Sequence, residues 1–177
     1  MSCPLDLTKL IRAETIMGED LEDTTLLKAM LGSAQSYMAS FGWCPPVEEV
    51  YLAFGVGGVI AVFLFHFREK IGQTDDWLWV IEGDVPSAYL VLDDVSSPAE
   101  VLKVYCELME NWARAVLDHS PLDDVFPVRE EAITENAESL LRRIDFIRTK
   151  LIPESASRWD AARGDGVLPA PPADDRR

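Results

Sequence analysis

Histidine, cysteine and basic residues are all scarce in this chain, and each scarcity removes a class of function. The 177 residues hold two histidines, His66 and His119, and three cysteines, Cys3, Cys44 and Cys106. Cysteines so few and so widely spaced form neither a disulfide framework nor a C-x-x-C metal knuckle, and a reducing cytoplasm is the expected setting. Lys and Arg number 16 against 31 Asp and Glu, a formal net charge of -15. Phosphate backbones are held by a surplus of cations, so nucleic-acid binding is not expected. Docking to an anionic membrane surface fails on the same ground. The uncharged stretch over residues 50–65 is shorter than the ~20 residues of a helical membrane span. It is broken by Gly55, Gly57 and Gly58 and reads as a buried hairpin. The N-terminus has no basic region followed by an apolar stretch, so no signal peptide is expected. G-x-S-x-G, H-E-x-x-H, P-loop and G-x-G-x-x-G motifs are missing.

What is present is an ordinary globular mixture, 48% apolar and 27% charged, too apolar for an acidic disordered chain. One α+β domain over residues 1–153 is expected, followed by a flexible, acidic and Pro-rich tail over 154–177. A short helix is predicted over residues 7–17, with Leu7, Leu10 and Ile11 on one side. A second, over about 24–40, carries Leu27, Met30, Leu31, Ala34, Met38 and Phe41 at helical spacing. Four strands follow, over 49–56, 59–67, 77–82 and 87–92. Their short connections imply an antiparallel meander, with Gly57-Gly58 as a hairpin turn. Ser97-Pro98-Ala99-Glu100 is a strong helix start. That helix buries Leu102, Tyr105, Cys106, Met109, Trp112, Ala113 and Val116. A last one from Thr134 has Ala137, Leu140, Leu141, Ile144, Ile147 and Leu151 as its stripe, and Pro153 marks its end. The expected architecture is a four-stranded antiparallel meander packed by about four helices.

The acidic residues are unevenly placed. Residues 71–128 hold twelve of them against only Lys103 and Arg114, so two thirds of the net charge falls in one third of the chain. Solvated turns account for part of this, because Asp favours turns by bonding nearby backbone. A one-signed patch also steers a basic partner and repels acidic competitors. The residues expected to form it are Asp75, Asp76, Glu82, Asp84, Asp93, Asp94, Asp123 and Asp124. In an antiparallel pair Asp75-Asp76 and Asp93-Asp94 can share one end of the sheet. Without a D-x-D-x-D-G loop they specify no metal site, and no cofactor is expected.

No catalytic residue is assigned. His66 reads as a core or rim histidine, His119 as the close of a helix, and Cys44 as a loop thiol with no histidine near it in sequence. Trp77 and Trp79 share one face of a strand and are expected to meet the helices; an open face would make them a recognition platform.

The segment Trp77-Leu78-Trp79-Val80-Ile81-Glu82-Gly83-Asp84-Val85-Pro86-Ser87-Ala88-Tyr89, with the helix from Pro98 through Tyr105, Met109 and Trp112 and the closing helix over 136–152, resembles a bacterial family of small proteins of unknown function. The resemblance covers roughly residues 50–152 and implies a bacterial origin and a shared fold, with Gly83, Asp84, Pro86 and Tyr89 as signature positions. It carries no activity. Size, acidity and the concentrated charge point to an immunity protein or antitoxin-like inhibitor that masks a basic toxin domain, not an enzyme. Two alternatives stay open. A small enzyme or ligand-binding domain would need a pocket between sheet and helices, and a secretion chaperone or adaptor would need a large exposed apolar groove. The oligomeric state is not specified.

Overall fold

The computed structural model describes residues 5–71, 75–91 and 93–162. Cys3 and the tail residues 163–177 of the sequence reading lie outside them. The architecture is α+β, with a five-stranded antiparallel sheet in the order β1-β2-β3-β4-β5. The strands are β1 (Ile11–Arg12), β2 (Val47–Val56), β3 (Ile60–Ile71), β4 (Asp75–Gly83) and β5 (Ala88–Leu90). The meander expected from the short connections is present, with one strand more than expected.

That extra strand replaces the helix expected over residues 7–17, where two 3-10 turns, Leu7–Lys9 and Ala13–Thr15, flank β1. An isolated helix of that length is marginal in water. The edge of β2 offers unpaired backbone groups instead, and Ile11 and Arg12 pair with Leu52 and Tyr51 there.

Both faces of the sheet are covered. Central strand β3 shows why: every residue from Ile60 to Phe65 is fully buried, as befits a run dominated by Val, Ile and Phe. On one face, helix α1 (Leu21–Ala39) lays Leu27, Met30, Ala34 and Met38 over Phe63, Phe65, Leu78 and Val80. On the other, α2 (Pro98–Leu117) buries Tyr105, Cys106, Met109 and Trp112 against Leu64, Trp79 and Ile81. Helix α3 (Thr134–Phe146) packs outside α2, with Ala137, Leu140 and Ile144 inward. A bulge at Ala53, between Leu52 and Phe54, shifts the β2 register, so Phe54 joins Tyr51 on the α2 face.

The starts of α1 and α2 depend on carboxylates. The Asp20 side chain caps α1 by accepting from Asp23 N at 2.8 Å, and Asp23 in turn accepts from Gly57 N at 2.6 Å. The acidic segment 19–23 thus ties α1 to the β2–β3 turn, where Gly58 supplies the positive φ of 74°. At α2 the reciprocal cap is displaced by one residue: Glu100 accepts from the backbone and hydroxyl of Ser96, and Ser97 makes no side-chain cap.

Pro153 does not end the last helix. The chain passes from α3 through a π-helical turn, Ile147–Leu151, into α4 (Ile152–Ala161). Proline removes a donor and crowds the preceding turn, and a wide π turn is one way a helix absorbs that strain. Trp159 of α4 is only 6% exposed, so the packed domain reaches beyond the boundary expected at 153. No helix among the described residues is long and apolar enough to cross a membrane.

Candidate functional site

The eight acidic residues expected to form one patch are distributed over the molecule. Asp75 and Asp76 open β4, whereas Glu82 and Asp84 lie at its far end, roughly 25 Å away at 3.3 Å per strand residue. Trp79 pairs with Leu90, so the chain after β5 runs back towards the Asp76 end, and Asp93 and Asp94 follow, exposed. Asp123 and Asp124 are exposed in the loop after α2.

Several of these carboxylates already have internal partners. Asp76 lies 3.3 Å from His66 Nε2, and Asp84 lies 3.7 Å from Arg143. Asp84 therefore faces a cation across an exposed gap. Glu82 is half-buried and accepts from the Ser87 hydroxyl at 2.7 Å. Burial pushes its carboxyl above the ordinary range, against the opposing pull of bonds from Ser87 and Gly83 N–H.

The candidate catalytic groups are placed as structural residues. His66 sits between Asp76 and Glu48 (3.5 Å) and stacks on Trp77 at 4.1 Å. Burial raises the Cys44 thiol and holds Cys106 up at about 11, which disfavours the nucleophilic thiolate. His119 closes α2 in the left-handed conformation, φ 55°. No three His, Cys, Asp or Glu side chains among the described residues are arranged to hold a metal ion.

Glu82 lines an open cleft of about 850 Å³ between α1, the β4–β5 turn and the loop at Arg129-Glu130. Its helical wall is made by Ala29, Gly32, Ser33, Ser36 and Ser40. Their spacing of three or four residues puts them on one side of α1, and their small size leaves the room. The opposite wall is formed by Gly83, Val85, Pro86 and Ser87 of the β4–β5 turn. A Cβ at Gly83 would stand 2.3 Å from the Val59 carbonyl oxygen, so only glycine allows β4 to end against the start of β3. The Tyr105 hydroxyl, buried in α2, donates to the Pro86 carbonyl at 2.6 Å and holds the turn from beneath.

An aromatic ledge adjoins the cleft. Tyr37 and Phe41 are four apart on and just beyond α1, with ring centroids at 5.1 Å. Phe41 and Trp43 each approach Tyr89 of β5 at 5.2 Å. The Arg129 guanidinium lies 4.9 Å from the Tyr37 ring and 4.7 Å from that of Phe41, and donates to Ser40 Oγ at 3.1 Å. Trp43 stays 43% exposed. Trp79 is buried in the core and Trp77 packs against the same cluster with His66 stacked on its ring, as expected for residues that meet the helices. Tyr37-x-x-x-Phe41-x-Trp43 was a visible signal, but its partners Tyr89 and Arg129 are remote in sequence. Compared with known protein families, curated proteins and solved structures, the chain matches none.

Proposed function

We propose that this protein is a binding module that masks a basic protein partner, in the manner of an immunity protein or antitoxin-like inhibitor. The observation that carries this reading is the half-exposed Trp43–Tyr89–Phe41 ledge with Arg129 over it, beside the Glu82 cleft. Aromatic and arginine side chains concentrate binding energy at interfaces. A chain of charge -15 selects cationic partners and speeds their approach. Asp93 follows Tyr89 by four residues, at most about 14 Å of chain, near enough to rim such an interface.

The test is capture from the native host, followed by kinetics with the captured protein. The expected partner presents a basic surface. Trp43→Ala with Tyr89→Ala should speed dissociation at least about tenfold, as for hot-spot residues. Asp93→Lys with Asp94→Lys should slow association and flatten its salt dependence. Unchanged kinetics in both variants would remove the proposed surface.

A further inference from the structure

A second cavity, independent of the cleft, lies at the opposite edge of the sheet. β1 covers β2 only at Tyr51 and Leu52, and past that point the bulged edge of β2 faces the N-terminal segment and α4. Between them is a pocket of about 370 Å³, within the roughly 300–1,000 Å³ of small-molecule sites. Leu27, Leu52, Phe54, Met17 and Trp159 contribute apolar wall.

Four charged residues line it, and three are committed. Arg158 donates to the Gly55 carbonyl at 3.0 Å, lies over Phe54, and pairs with Glu19 and Glu154. Glu19 is thereby occupied. Asp23 accepts from the backbone of Gly57 and Glu19. The fourth, Lys9, is half-buried, with its ammonium 4.6 Å from the Trp159 ring centroid and 3.4 Å from the Trp159 carbonyl oxygen. Among the described residues it has no carboxylate partner, in a protein with nearly twice as many acidic as basic side chains. A partly desolvated cation ordinarily has an anion beside it.

We propose that this pocket binds a small carboxylate with an apolar body, its charge at Lys9 and its body along Phe54 and Trp159. Octanoate is the probe, with octanol and octylamine matching its chain without its charge. Calorimetry should show one saturable octanoate site, with amide shifts at residues 52–55 and 158–159. Ligand should raise the melting temperature through linkage. Lys9→Met should weaken octanoate binding about ten- to a hundredfold, the value of a charge-assisted bond. Lys9→Arg should retain binding, and octanol should respond to neither substitution. Equal affinity for octanol or octylamine, indifference to Lys9→Met, shifts confined elsewhere, or no saturable heat at millimolar octanoate would each overturn the proposal.

Discussion

Single residues in this protein are set by what surrounds them more than by their type. Glu82 is the clearest instance: in sequence it was one acid among twelve, and in the fold it is the half-buried carboxylate of the cleft. Its pKa is raised chiefly by desolvation. A raised carboxyl binds its proton more tightly folded than unfolded. The resulting stabilisation is complete below the unfolded pKa and is lost as pH rises through the folded one. At neutral pH the charged Glu82 is thus a cost. Glu82→Gln, which keeps an acceptor for Ser87, should raise denaturant stability at pH 7, with the gain vanishing under acidic conditions. Paired urea titrations at the two pH values check this, and a gain that grew on acidification would contradict the assignment. Among the sequence-level expectations, the buried stripes of α1 and α2 were legible because residues recurring every three or four positions must share a face. The occupied state of Asp76 and Asp84 was not, since His66 and Arg143 reach them only through the fold.

Whole elements divide the same way. The β2–β3 hairpin and the β4–β5 turn were readable from glycine placement and short connections, and the start of α2 from Ser97-Pro98. The two misreadings have tertiary causes. Residues 7–17 have helical spacing but complete a sheet edge, because β2 supplies hydrogen-bonding partners that an isolated helix lacks. Pro153 carries a strong local stop signal. Burial of Trp159, with Leu151 and Ile147, carries the helix on past it through the π turn. Trp159→Ala should cost about 3–5 kcal/mol, the range for truncating a large buried aromatic. Urea denaturation measures it. A loss below about 1 kcal/mol, the scale of surface substitutions, would place α4 outside the cooperative unit.

For the molecule as a whole, charge and packing pull against each other. A net charge of -15 destabilises the compact state by self-repulsion. Exposed pairs such as Arg12–Glu49, at 3.0 Å, contribute little in return. Screening shortens the reach of both, to about 10 Å at 0.1 M salt. Because repulsion dominates in so acidic a chain, the melting temperature should rise between low and physiological ionic strength, as calorimetry would show; a fall would mean that ion pairs outweigh repulsion. Composition and periodicity by themselves determined the class of the fold, the meander order of its central strands, the buried helix faces and the sign of the protein's field. These follow from local rules, in which neighbours a few residues apart settle the outcome. Only the tertiary structure decided that Tyr37, Phe41 and Trp43 meet Tyr89 and Arg129, that Glu82 is half-buried beside them, and that Lys9 faces Trp159 with no carboxylate partner among the described residues. Those arrangements join residues up to 150 positions apart, and burial and pairing over such separations are settled by packing around a common sheet.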